Sequence, residues 1–180
     1  MKLYRLFLMV AAGGMLVSCG SKAPVKPAPA AFSLFETVLK DSAGLVRGAD
    51  LGDDPDVVRQ MEYDSALVVS NKYALIYDYK LPEERALNLK YTFGGNALQK
   101  IEMDVFLASE GQADTLTQEF KRYYSKKFGE PQQQMGVYVW MGPSQTGSDS
   151  VIEMKDESAE YGYGKLNITI YPKDFQSKPL

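Results

Sequence analysis

Leu87-Asn-Leu-Lys-Tyr-Thr-Phe-Gly-Gly-Asn-Ala-Leu-Gln-Lys-Ile-Glu-Met-Asp-Val-Phe-Leu107 is the stretch that decides the fold. Leu87, Leu89, Tyr91 and Phe93 alternate with Asn88, Lys90 and Thr92. After Gly94-Gly95-Asn96, Ile101, Met103, Val105 and Leu107 alternate with Glu102 and Asp104. A period of two with one apolar and one polar side marks half-buried strands, and a Gly-Gly-Asn step between two such runs predicts a tight hairpin. The segment is therefore two antiparallel strands with one face on a core.

The same grammar extends outward. Ala66–Val69 and Lys72–Tyr79 predict two earlier strands with a turn at Asn71-Lys72. Tyr73, Leu75, Tyr77 and Tyr79 share one face of the second, and a polar loop at Leu81–Arg85 joins it to the decisive hairpin. Upstream, Phe32, Phe35 and Leu39 lie on one helical stripe beside Leu34 and Val38. Asp54-Pro55 reads as an N-cap with proline in the first helical position, opening a second short helix on Val57, Val58 and Met61. Downstream, Ala113–Phe128 predicts the best helix of the chain, with Leu116, Phe120, Tyr123, Tyr124 and Lys127 near one stripe. Gly129 is placed to cap it, and Pro131 blocks propagation. Three more strands follow at Val137–Met141, Val151–Lys155 and Lys165–Tyr171, separated by polar loops at Gly142–Asp149 and Asp156–Gly164.

Short connections make the strands antiparallel candidates. The expectation is an α+β fold in two layers, a mostly antiparallel sheet with helices packed on one face and the other face open. The order α-α-β-β-β-β then α-β-β-β also fits two related halves sharing one continuous sheet, although no residue-level repeat accompanies it. Residues 32–180 read as one globular domain.

The first 31 residues are of another kind. Lys2 and Arg5 precede an apolar run from Leu6 to Val17, too short for the roughly 20 residues of a transmembrane span and suited to a secretory signal. Leu16-Val17-Ser18-Cys19 closes it, and this is the chain's one cysteine. The pattern resembles the bacterial lipobox. That resemblance implies removal of residues 1–18 and attachment of Cys19 to diacylglycerol, which makes membrane lipid a partner. It places the domain in the cell envelope, at the outer membrane facing the periplasm. A single acyl chain holds only marginally, whereas two or three hold firmly. From Gly20 to Ala31 three prolines among small residues favour an extended tether, at about 3.1 Å per residue a reach of roughly 35 Å.

Composition excludes several functions. Losing residues 1–18, which carry Lys2 and Arg5 and no acid, moves the formal charge from −3 to −5. Such a balance does not suit nucleic acid, which calls for a basic patch. The chain contains no histidine, and the lipobox resemblance implies that its one cysteine is consumed by lipid. Ser-His-Asp and Cys-His catalysis and His/Cys zinc sites are thereby removed. Nothing in the chain calls for a cofactor.

Phe120-Lys-Arg-Tyr-Tyr-Ser-Lys-Lys-Phe-Gly-Glu-Pro131, followed by Trp140 on a strand, resembles lipoproteins of Bacteroidota-like bacteria. In those a helix ends in an aromatic-Gly-x-Pro step and the chain returns through a strand bearing Trp. The α-α-β order of the first half also resembles small outer-membrane lipoproteins of the SmpA/OmlA type and the β-lactamase-inhibitor-like fold. The resemblance implies protein-binding or envelope-assembly roles. This chain differs in length and in a longer first hairpin pair, so no binding residue carries over.

Among candidate sites, Asp50, Asp53, Asp54 and Asp56 lack the spacing and distal Glu of a calcium loop and suit helix capping instead, so no metal site is assigned. Glu102 with Asp104, or Glu83 with Glu84, are conceivable acid pairs for glycan hydrolysis, but such pairs also decorate solvated strands. Ser144, Ser148 and Ser150 lack an elbow motif and a lysine at fixed spacing. The aromatic residues are more suggestive. If Val137, Val139 and Met141 face the core, Tyr138 and Trp140 lie on the open face and join Tyr161 and Tyr163 as candidate binding residues. In the reversed register Trp140 is core. The function expected is a non-enzymatic protein-binding or scaffold module. The alternatives are an inhibitor of an envelope-directed hydrolase that plugs its target with the Gly142–Asp149 loop, and a carboxylate-dependent glycan hydrolase.

Overall fold

The computed structural model describes residues 33–144, 147 and 149–175. The signal run, Cys19 and the tether lie outside the described residues, as do Phe32 and Ser148.

Helices α1 (Leu34–Leu39) and α2 (Pro55–Met61) precede strands β1 (Leu67–Ser70), β2 (Ala74–Leu81), β3 (Arg85–Gly94) and β4 (Ala97–Leu107). Helix α3 (Glu110–Phe128) leads to β5 (Gln132–Gln134), β6 (Val137–Pro143), β7 (Asp149–Asp156), the short helix α4 (Ser158–Tyr161) and β8 (Gly164–Pro172). The strands form one eight-stranded sheet in the order β1-β2-β3-β4-β8-β7-β6-β5, with every neighbour antiparallel. Each half is a four-stranded meander, and the two join through their last strands, β4 and β8. This is the connectivity that two halves sharing a sheet would give, and the α+β expectation holds.

Local chemistry accounts for the joints. Gly95 and Asn96 both take positive φ, 61° and 62°, as the two-residue turn between β3 and β4 requires. Asp54 accepts the Asp56 N–H at 2.9 Å with Pro55 behind it, so α2 begins where expected. Helix α3 starts earlier than its apolar periodicity suggests, because Ser109 caps it and the first turn carries no apolar residue. Strand β5 is three exposed glutamines, invisible to an alternation test; the Met135-Gly136 turn, both residues at positive φ, folds it back on β6.

One set of side chains faces the helices. Tyr91, Ile101, Ile170, Ile152 and Trp140 form a single row across the sheet, and Leu89, Met103, Ile168, Met154 and Tyr138 form the next. All but Tyr138 are buried, and each such side chain contributes about 1.5–3 kcal/mol. Helix α3 lays Ala113, Leu116, Phe120 and Tyr124 on this face, and Phe35 of α1 meets Phe120 at 5.0 Å between ring centroids.

This register corrects the placement of Tyr138 and Trp140. Trp140 is 2% exposed and its ring lies 5.4 Å from Tyr124, so it belongs to the core under α3. Tyr138 is half-buried beside it, with Lys121 Nζ 4.7 Å from its ring centre. Strand β6 is apolar on both sides, so alternation alone cannot orient it. The helix supplies aromatic partners, and it is the aromatic side of β6 that turns towards them.

Candidate functional site

The opposite face of the sheet is left uncovered by α3 and is reached by α4 only at one end, through Tyr161. Its central row runs Val69, Ile76, Lys90, Glu102, Thr169, Glu153, Val139 and Gln132. Most of its charges are already matched. Glu102 receives Lys100 at 2.8 Å and Lys90 at 3.1 Å. Asp104 accepts from Asn167 at 3.0 Å, and Tyr171 donates to Glu153 at 2.7 Å. Burial, with the Glu153 bond added, pushes the Tyr171 hydroxyl up to about 12. Burial also pushes the Glu102 carboxyl up, but Lys100 and Lys90 outweigh it and hold it below the usual range. A general acid for glycan cleavage needs the reverse shift. Glu83 and Glu84 occupy an exposed turn at positive φ. Ser150 donates to the Gly142 carbonyl at 2.8 Å, inside the sheet.

Apolar groups gather where β4 and β8 meet α4. Gly162, left-handed at φ 76°, ends α4 and brings Tyr161 and Tyr163 together with ring centroids 5.7 Å apart. Phe106 lies 6.4 Å from Tyr163. Tyr161 is 49% exposed and Tyr163 41%. Beneath them Lys165 is buried, with Nζ 2.8 Å from Glu157, 3.5 Å from Asp104 and 4.1 Å from the centre of the Tyr161 ring. Burial pulls the Lys165 ammonium down, but the Glu157 hydrogen bond and nearby acids more than reverse this, so the lysine stays charged. The Tyr161 ring thus rests on a fixed cation that also lies 5.8 Å from the Phe106 ring centre, a geometry worth about 0.5–2 kcal/mol. Of the four aromatic candidates, the structure brings Tyr161 and Tyr163 together and leaves Tyr138 and Trp140 on the other face.

A second constellation lies on the helix side, at the first meander. Glu62, with its side chain fully buried, accepts from Arg47 Nε and Nη2, each at 2.7 Å, from Tyr91 and Tyr79 hydroxyls, each at 2.7 Å, and from Lys40 Nζ at 3.1 Å. Arg47 also donates to the carbonyls of Val38 at 2.8 Å and Thr37 at 3.3 Å, tying α1 to the node. Burial pushes the Glu62 carboxyl up, yet Arg47 and the tyrosines outweigh it and hold it below its ordinary value. Beside the node is a pocket of about 240 Å³ lined by Lys40, Arg47, Tyr63, Tyr79, Leu81 and Leu87, with Glu36 and Thr37 at its α1 side. Sequence reasoning missed these residues, because Arg47 and Glu62 carry no motif spacing. The one available signal is the placing of Tyr79 and Tyr91 on core-facing strand positions, where buried hydroxyls demand partners.

No family model, curated protein or solved structure matches the chain. No helix among the described residues is long and apolar enough to cross a membrane.

Proposed function

We propose that this is a non-enzymatic binding module of the bacterial envelope, held by lipid on Cys19, that captures a partner protein on the open face of its sheet. The observation that carries the reading is the Phe106–Tyr161–Tyr163 cluster. Paired tyrosines about half exposed, one of them held over a buried lysine, present rigid amphipathic area at low entropic cost, as binding hot spots do. The self-paired charges around it form a polar rim. The partner presents an apolar side chain to the cluster. The anchor supports the same reading, since a tethered domain samples a restricted layer beside the membrane at raised effective concentration.

The test is a photo-crosslinking amino acid placed at Tyr161 in intact cells, with a second placement at exposed Gln118 on α3. The expected result is one discrete adduct from position 161, absent from position 118 and lost when Tyr163→Ala is added. Equal adducts from both positions, or an adduct that survives Tyr163→Ala, overturns the assignment of the face. Loss at position 161 after deletion of residues 145–148 would instead favour the inhibitor reading.

A further inference from the structure

We infer that the pocket between α1 and the β2–β3 end of the sheet is a binding site for a small organic carboxylate with an apolar body. The inference rests on an imbalance at the Glu62 node. A carboxylate offers about four lone-pair sites. Five donors converge on Glu62, and four of them hold it at 2.7 Å. The fifth, Lys40, stands off at 3.1 Å, and its side chain is the more exposed partner in that bridge, at 22% against 0%. Two cations, Lys40 and Arg47, thus face one fully subscribed anion. The lysine also reaches the Met61 carbonyl and lies 4.3 Å from the centre of the Tyr63 ring, at the wall of the pocket. It is the donor that can turn towards a newcomer, giving up the Met61 carbonyl while Glu62 keeps its four closer donors.

The other acid on the lining, Glu36, is exposed, so water and salt screen its charge more than that of the buried Arg47. Its carboxylate accepts the Ser33 N–H at 2.8 Å, closing the capping box of α1. The remaining walls are the Tyr63 and Tyr79 rings, Leu81 and Leu87, which suit an aliphatic or aromatic body. At about 240 Å³ the pocket falls below the roughly 300–1,000 Å³ of drug-sized sites, so the occupant is small. A ligand carboxylate placed against Lys40 makes a charge-assisted hydrogen bond in a partly desolvated site, where such bonds are strongest. This site lies on the helix side of the sheet and is independent of the open-face cluster.

The experiment is titration of the folded domain, residues 19–180, with hexanoate and phenylacetate, and with hexanamide and phenylacetamide as neutral counterparts, followed by ¹H–¹⁵N shifts. Saturable shifts at Lys40, Tyr63 and Leu81 are expected with the acids, and binding of the amides weaker by roughly tenfold or more. Lys40→Met should weaken the acids alone, but it also disturbs Glu62. The decisive variants are therefore at Thr37, exposed and on the lining: Thr37→Glu weakens the acids and Thr37→Lys does not. Equal binding of acids and amides, indifference to Thr37→Glu, or no saturable shift with either acid overturns the inference.

Discussion

Glu62→Gln is the substitution that probes the architecture most sharply. Glu62 Oε1 accepts from Arg47 Nε and the Tyr91 hydroxyl, and Oε2 accepts from Arg47 Nη2, the Tyr79 hydroxyl and Lys40. An amide turns one of these oxygens into a donor. Whichever end it is, one Arg47 N–H and one tyrosine hydroxyl then face an N–H group, and a guanidinium with a 2% exposed side chain loses its counter-charge. Breaking such a pair on one side costs about 3–5 kcal/mol. The Lys40 bridge adds little, being partly exposed. At about 2–4 °C per kcal/mol, the melting temperature should fall by roughly 6–20 °C. Urea unfolding measures this directly. Trp140, the one tryptophan, is buried in the second meander and reports by fluorescence, while far-UV ellipticity reports on both halves. Coincident shifts by both probes show that the seam makes one cooperative unit. A Glu62→Gln variant within about 0.5 kcal/mol of the parent by both probes would refute the node as a structural keystone.

The pH profile should follow from the same node. Glu62 sits below its ordinary 4.5 when folded, so its stabilisation is complete above that pH and disappears as pH falls through the lower folded value. Tyr79 and Tyr91, pushed above 10.0 first by burial, with Glu62 adding to it, hold their stabilisation below pH 10 and lose it as pH rises through the higher folded values. Urea midpoints against pH should therefore show both limbs, and Glu62→Gln should flatten the acid limb. Two glycines should separate by what a new Cβ meets. At Gly164 it would lie 2.2 Å from the Ser109 carbonyl oxygen, which is backbone, whereas at Gly142 it would lie 2.2 Å from the Phe128 ring edge. Both Ala variants should destabilise by about 1–3 kcal/mol, with only Gly142→Ala rescued by Phe128→Ala in denaturation curves. Asp54→Ala should cost about 1 kcal/mol through loss of the α2 cap, read as a lower urea midpoint with an unchanged slope.

Much of this fold is legible in the chain because its strands alternate cleanly. Leu87 to Leu107 declares one buried and one wet face, and the pairing of Leu89 with Met103 follows that pattern. Gly95-Asn96 and Asp54-Pro55 declare joints because their backbone conformations favour those residues. Strand β6 is illegible for the opposite reason: with Tyr138 and Trp140 on one side and Val137, Val139 and Met141 on the other, either side can be buried, and α3 decides. The Glu62 node is hidden because its members are far apart in the chain and owe their meeting to tertiary packing. Tyr161 and Tyr163 were visible as aromatics in a polar loop, but their support, Phe106 and Lys165, comes from strands β4 and β8, whose pairing no local pattern announces.

The seam between β4 and β8 has a consequence for how the chain is made. Among the described strands, the one that completes the middle of the sheet is synthesised last. Until Gly164–Pro172 emerges, β4 offers an eleven-residue unpaired edge with Ile101, Met103 and Val105 on its apolar side. Such an edge invites pairing with other chains. A chain that reaches residue 172 covers that edge itself. One that stalls or is clipped before residue 164 displays it permanently. Closure of the sheet thus depends on residues 164–172, and a product cut before them carries an aggregation-prone edge.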